Sequence, residues 1–343
     1  MSRRPTIKTL SVKTGFSIAT ISKALHDSPV VTVETKALIT KAALELGYEP
    51  SLRGMALRTG LTYQVAVLMP VSAAQGFEWD GVEYTQILSG ISKALEGSPY
   101  QIAVHVVRDA AEGLQAARRI VEQKLADGLI FSGIMASDAR VDYLAAQDFP
   151  FVTLGRCRQD LIYAHVDVDS EWAAFAATER LLAGGHRRIA LVNPVPSLSY
   201  ALDRIDGFRR AHEAAGRVAD EALIVAGDLT TFHGKSAALA LSDLADPVTG
   251  FVCVNESTAL GVLAGLRERG REVGRDASVI AYDDINASAY FAPPLSTFYQ
   301  PIEDLGRHLG AFLLRRLAGE PPETLTELTR PALVERQSDR LGI

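Results

Sequence analysis

The chain has 343 residues, a formal net charge of −6 at neutral pH, 48% hydrophobic and 22% charged residues, and two cysteines. Such a length suits two or three domains with sizeable cores, and the composition is that of a globular protein rather than a disordered or fibrous one. No apolar run reaches the roughly 18 residues of a membrane span, the first ten residues lack a secretory signal's apolar segment, and Cys157 and Cys253 show neither metal-ligand spacing nor a disulfide framework, so a reducing cytoplasm is expected.

Charge is unevenly spread. Residues 1–60 hold nine Lys/Arg and four Asp/Glu, a net of +5, which leaves −11 for the rest. A basic head on an acidic body points to a polyanion that meets the head alone. By charge count alone, a plain solvated surface would look the same.

The pattern of the head separates the two readings. Ile7–Thr14 reads as one or two helical turns with Ile7 and Leu10 on one side. Gly15 supplies the left-handed conformation that ends a helix, and Ser17 is a good N-cap for the next. Ile21, Ala24 and Leu25 then recur at i, i+3, i+4, a buried stripe. After the turn residues His26-Asp27-Ser28-Pro29, Thr32 is placed to cap a third helix, in which Ile39, Ala42, Ala43 and Leu46 repeat the stripe until Gly47 stops it. Three short helices with a glycine turn between the first two form a helix-turn-helix unit, whose second helix enters the DNA major groove.

The block TIKTLSVKTGFSIATISKAL (6–25), with VTVETKALITKAALELGYEPS (31–51), resembles the DNA-binding domain of the LacI family of transcriptional regulators. The matching elements are Gly15, the string Ser17-x-x-Thr20-Ile21-Ser22-Lys23, Thr32, Thr35, Gly47-Tyr48 and Pro50. The resemblance implies that Thr6, Ser17, Thr20, Ser22, His26, Thr32 and Thr35 contact DNA, largely its phosphates, and that Ile18, Ala19 and Lys23 read bases. Lys23 would donate to guanine, while Ile18 and Ala19 would meet thymine methyls. Ile18 also lies close to the apolar stripe, so a core position competes with groove contact there. After Pro50, the segment 51–61 matches the family's hinge, which folds as a short helix on the operator and presses a leucine, here Leu57, into the minor groove. Ser51 stands where the family usually has Asn, and Met55 where it often has Arg; Arg53 and Arg58 keep the hinge basic.

From Tyr63 the pattern becomes alternating strand and helix. VAVLM (65–69), IAVHVV (102–107), GLIF (128–131) and FVTL (151–154) read as strands, separated by helices near 84–96, 110–124 and 137–147. RIALV (188–192), ALIV (222–225), FVCV (251–254) and SVIAY (278–282) form a second alternating set. Such alternation means parallel sheets covered by helices. The expected class is therefore α/β: a helix-turn-helix three-helix domain at 1–50, a hinge at 51–61, and, by resemblance, a two-lobed periplasmic-binding-protein-like body at 62–343 that binds effector and dimerises.

Ligands of open α/β sheets sit beyond the carboxyl ends of strands. By resemblance, Arg204 (DRIDGF) and Asp283 (AYDDI) are cleft residues, joined by Asn255 after FVCV and Gln300 after TFY. From the first lobe come Tyr84, Ser132 after GLIF, Arg156 after FVTL, and Trp79 in the loop GFEWDGVEY. Arginine with carboxylate and amide groups suits sugar hydroxyls. Without the resemblance, Arg204 with Asp206 would read as a surface ion pair. Gly155-Arg156 replaces an acidic residue found in the family, and Glu256 replaces its usual Asp.

Nucleotide, hydrolase and zinc motifs are missing, and the seven histidines are scattered without ligand spacing. An enzyme or a sugar-binding transport receptor on a similar fold remains the alternative. The expectation is a cytoplasmic, operator-binding regulator, a homodimer on near-palindromic DNA, controlled by a carbohydrate effector, with no cofactor, metal or membrane partner. No leucine heptads follow Arg330, so no tetramer-forming tail is expected.

Overall fold

The computed structural model describes residues 5–25, 27–48, 52–71, 81–285 and 287–340; His26, Ser51 and Trp79 lie outside them. The chain divides into two units, Met1–Tyr63 and Gln64–Ile343.

The first unit opens with α1 (Ile7–Thr14), α2 (Ile18–Leu25) and α3 (Val33–Leu46). Each start is fixed by a hydroxyl. Thr6 and Thr9 form a reciprocal capping box on α1, Ser17 Oγ accepts from Thr20 N at 3.1 Å, and Thr32 Oγ1 accepts from Thr35 N at 3.3 Å. The ends are set by backbone: Gly15 (φ 74) and Gly47 (φ 62) take the left-handed conformation that other residues resist. Leu10, Ile21, Ala24, Ile39, Ala42 and Ala43 close the core, with Ile7, Leu25 and Leu46 against it. These are the stripes the sequence predicts; each fully buried Leu or Ile contributes roughly 1.5–3 kcal/mol. The hinge segment is helical, α4 (Leu52–Thr59), and carries Arg53 and Leu57.

In the second unit the chain alternates through β1 (Gln64–Pro70), α5 (Gly81–Leu95), β2 (Gln101–Val107), α6 (Ala110–Glu122), β3 (Gly128–Phe131), α7 (Ala139–Ala146), β4 (Phe151–Leu154) and β5 (Ala164–Val168). It crosses into a second lobe with α8 (Ser170–Ala183), β6 (Ile189–Pro194), α9 (Ser199–Ala214), β7 (Ile224–Gly227), α10 (Thr231–Ser242), β8 (Gly250–Cys253), α11 (Glu256–Glu268), β9 (Ser278–Asp283) and β10 (Ser296–Tyr299). It returns through α12 (Ile302–Leu317) and β11 (Thr326–Thr329), and ends with β12 (Ala332–Val334). The two six-stranded sheets run β11-β5-β4-β3-β1-β2 and β12-β10-β9-β8-β6-β7. Only β12 is antiparallel to its neighbour. Three chain crossings therefore join the lobes, after β5, after β10 and between β11 and β12.

Each sheet is covered on both faces. In the first lobe Val65, Val67, Ile130 and Val152 meet α5 and α12, while Leu68, Leu129 and Phe131 meet α6 and α7. In the second, Leu191, Val252 and Ile280 meet α8 and α9, while Val192, Phe251 and Val279 meet α10 and α11. Both cysteines are free and buried. Among the described residues no helix is long and apolar enough to cross a membrane.

Three helix pairs touch backbone to backbone at glycines. A Cβ on Gly90 of α5 would strike the Glu303 carbonyl, one on Gly207 of α9 the Glu171 carbonyl, and one on Gly234 of α10 the Thr258 carbonyl. Backbone cannot move aside as a side-chain tip does, so Gly207→Ala is expected to lower stability by about 1–3 kcal/mol. Thermal unfolding against the parent checks this, and an unchanged melting temperature would show that the helices separate freely.

The sequence reading departs from the structure at several elements. The strand expected at 222–225 is a short 3-10 turn, Glu221–Leu223, followed by β7. Four strands went unpredicted: β5, β10, β11 and β12. β11 and β12 have four and three residues, too few to show a period, and β5 reads AHVDV, with polar residues in a parallel strand.

Candidate functional site

On the head, α2 presents one face to its core and the other outward. Ile21 and Ala24 are buried, whereas Ser17, Ala19 and Lys23 are exposed. Ile18 is 44% exposed, which places it off the core and on the outer face. Thr20 and Ser22 are half-buried at the edge. Ser17 Oγ lies 2.9 Å from Thr20 Oγ1, and Thr32 donates to Thr35 at 3.0 Å. Thr6, Ser17 and Thr32 thus each stand at a helix N-terminus, where backbone N–H groups and the dipole favour an anion. Lys13 is tied to Glu45 at 2.7 Å and Lys36 to Asp27 at 2.6 Å. The side chains of Arg53 and Leu57 on α4 are not among those described.

In the body, the carboxyl ends of the two sheets face one cleft. The lobes meet at its side: Met135 pairs with Leu198 as an isolated antiparallel bridge, and Ser199 N donates to Ile134 O at 2.9 Å. Arg158 clamps the same place, reaching Asp203 at 2.6 Å and Asp206 at 2.7 Å across the gap. Arg204 follows directly on α9. It is only 3% exposed; its guanidinium lies 4.2 Å from the centroid of the Tyr282 ring; and its Nε has no hydrogen-bond partner among the described residues. Arg158 takes Asp206, so the surface pair Arg204–Asp206 does not form.

Asp283 ends β9 in a strained backbone. Its φ is 91° and that of Asp284 is 51°, a conformation that typically costs about 1–3 kcal/mol for a non-glycine residue and tends to mark functional sites. Gln300 donates to Asp283 Oδ1 at 2.9 Å, and Arg336 holds Asp284 at 2.9 Å. Asn255 caps α11: its Oδ1 accepts from Thr258 N at 2.8 Å and its Nδ2 donates to Leu229 O at 3.2 Å. The fold thus brings Arg204, Asp283 and Gln300 together, while both polar ends of Asn255 are engaged locally.

Opposite them, Tyr84 of α5 lies 3.5 Å from Ser132 through their hydroxyls. Arg156, half exposed, is paired with Asp167 at 3.1 Å. Burial raises the phenols of Tyr200 and Tyr282, Arg204 opposes the rise, and the carboxylates of Asp283 and Glu83 add to it. Asp167 acts on Tyr282 as well. Glu83 and Tyr84 of one lobe therefore lie within electrostatic reach of Tyr200 of the other, and Glu83 and Asp167 within reach of Tyr282.

Asp167 and Tyr282 escaped the sequence reading, because a carboxylate inside a short strand and a buried tyrosine carry no motif. Burial pushes Asp167 up to about 6; Asp203 and Asp169 add to the shift, while the Val168 N–H and Arg156 oppose it. Folding thus disfavours the ionised form, so its cost to stability grows as pH rises from about 4 to 6 and persists above. Asp167→Asn should therefore melt higher than the parent at pH 7.5, with the gap closing toward pH 4. Melting curves at both pH values check it; a lower melting temperature at pH 7.5 would contradict it.

Among the described residues no cluster of three or more His, Cys, Asp or Glu could hold a metal ion. A family model described as a periplasmic binding protein-like domain matches residues 178–338. Over 339 residues the chain is 29% identical to the HTH-type transcriptional regulator CelR of Thermobifida fusca, covering 98% of each. A solved structure of the CelR–cellobiose complex matches with a TM-score of 0.74 at 28% identity, over 98% of this chain and 100% of that one. A regulatory protein of the LacI family from Chloroflexus aggregans matches with a TM-score of 0.73 at 29% identity, over 81% and 99%.

Proposed function

We propose that the chain is a LacI-family transcriptional regulator, a cytoplasmic repressor that binds near-palindromic operator DNA as a homodimer and releases or grips it in response to a sugar-class effector. The DNA-binding domain is 1–50, the hinge 51–61, and the effector-binding and dimerising body 62–343. The observation that carries the reading is Arg204, a buried guanidinium stacked on Tyr282 with an Nε that has no partner among the described residues, in a chain whose head displays Lys23 on the outer face of α2. A buried charge without a full set of partners is costly, and a bound ligand would supply the missing acceptor.

In this reading Ser17, Thr20, Ser22, Thr32 and Thr35 hold phosphates, and Ile18, Ala19 and Lys23 read base edges. Thr6 and His26 add phosphate contacts, and Ser51, Arg53 and Leu57 serve the hinge. Tyr84, Ser132, Arg156, Arg204 and Asp283 line the effector cleft with Trp79, while Gln300 and Asn255 brace it. The CelR relative has a structure with cellobiose, which supports a glycoside as the effector class here. The chain is then not an enzyme: the relatives are regulators, and the cleft holds its ligand through an arginine and carboxylates.

Operator selection from random duplex DNA, followed by fluorescence anisotropy, tests the reading. A near-palindromic consensus is expected, with affinity falling about a thousandfold or more between 50 and 200 mM salt as phosphate contacts release counterions. Selection that yields no consensus would refute it.

A further inference from the structure

We propose that Asp167 is the first lobe's ligand-binding carboxylate and that it makes the cleft select an uncharged polyhydroxyl compound and reject phosphorylated or carboxylated ones. This rests on the cleft being the effector site and adds the charge class of its ligand, together with a residue that sets it.

The argument follows from which charges are already satisfied. Arg158 is engaged by Asp203 at 2.6 Å and Asp206 at 2.7 Å. Arg156 Nε faces Asp167 Oδ2 at 3.1 Å. The cleft guanidinium with unused donor capacity is Arg204, 3% exposed, with Nε unpartnered among the described residues. An anionic ligand would satisfy Arg204, but it would enter within reach of the Glu83, Asp167 and Asp283 carboxylates, all acting on the same Tyr282. Like charges in a partly desolvated site repel strongly. A hydroxyl both donates and accepts, so one polyol would accept from Arg204 while donating to Asp283 and Asp167.

Asp167 is built for this. It is the penultimate residue of β5, at the carboxyl end of the strand, and is 7% exposed. Its Oδ1 accepts from Val168 N at 2.8 Å, and its Oδ2 meets the half-exposed Arg156. A carboxylate offers about four acceptor positions, so room for hydroxyls remains. Charged and titratable neighbours act on it from each side: Arg156 after β4, Asp203 of α9, Asp169 after its own strand, and Tyr282 of β9. Arg156 would swing aside for the ligand, since an ion pair at a half-exposed arginine is weak.

Isothermal titration of the full-length protein tests this with cellobiose and other neutral mono- and disaccharides, and with glucose 6-phosphate and gluconate. Neutral sugars should bind, and the two anions should bind at least about tenfold more weakly. Asp167→Asn, which keeps the acceptor for Val168 N, should weaken the neutral sugar about tenfold to a hundredfold. Parent affinity should fall as pH drops from 7.5 to 5, while the variant's stays flat, and melting temperatures confirm that the variant is folded. Equal affinity of parent and variant, matching pH profiles, or tight binding of the phosphorylated sugar would each overturn the proposal. If nothing in the panel binds, the effector reading itself falls and this inference with it.

Discussion

Arg204→Ala should abolish the response to effector while leaving operator affinity without effector unchanged. The guanidinium offers two or more charge-assisted donors to a ligand in a site shielded from water, and each such bond contributes roughly 1.5–3 kcal/mol. Their loss should weaken effector binding at least about a hundredfold. The fold should survive. The variant gives up a stacking contact with Tyr282 at 4.2 Å, of the order of 1 kcal/mol, but it also removes a buried charge whose Nε is unsatisfied among the described residues, which offsets part of that cost. Arg204→Lys separates charge from geometry: it keeps the cation but loses the planar fork, so an intermediate loss is expected. Titrating each variant with the best-binding sugar reads the effect. Normal effector affinity in Arg204→Ala would remove the arginine from the site and leave the head untouched.

Lys23→Ala should weaken the preferred operator by roughly 1–3 kcal/mol, about tenfold to a hundredfold, and relax the choice of base at one position of each half-site. Lys23 is exposed on the outer face of α2, in line with exposed Ala19 and with Ile18, itself 44% exposed. The contrast that identifies a base-reading residue is Thr20→Ala, whose loss should fall alike on all DNA, since phosphate contacts carry no sequence information. Binding measured against a set of single-base operator variants distinguishes the two patterns. A uniform loss for Lys23→Ala would make it a phosphate contact.

Much of the head was legible because its signals are local. Hydroxyl N-caps at Ser17 and Thr32, a left-handed glycine at two helix ends and three apolar stripes fix the unit within about forty residues, and each is found in the fold, which adds a cap at Thr6. The strands with long β-branched runs were legible for the same reason, whereas β5, β11 and β12 are too short or too polar to show a period. The cleft was legible only through the resemblance, since Arg204, Asp283 and Gln300 come from separate elements that only the folded sheets bring together. Asn255 shows the remaining ambiguity: an Asn after a strand is equally a ligand contact and a helix cap, and its two bonds, to Thr258 and Leu229, make it the cap. Asp167 was invisible because nothing in AHVDV shows that the second lobe will place Asp203 and Tyr282 across from it.

Regulation requires that effector and operator change each other's affinity. A ligand alters the DNA-binding equilibrium only through its differential affinity for the states the protein adopts, and the coupling is reciprocal by thermodynamic necessity. The direct measurement is effector affinity by titration calorimetry with and without saturating operator, set beside operator affinity by anisotropy with and without saturating effector. The two ratios should be equal and differ from one, by about fivefold or more for a coupling of ordinary size. Effector that binds with the same affinity on and off the operator would contradict the account, because the cleft and the head would then be independent.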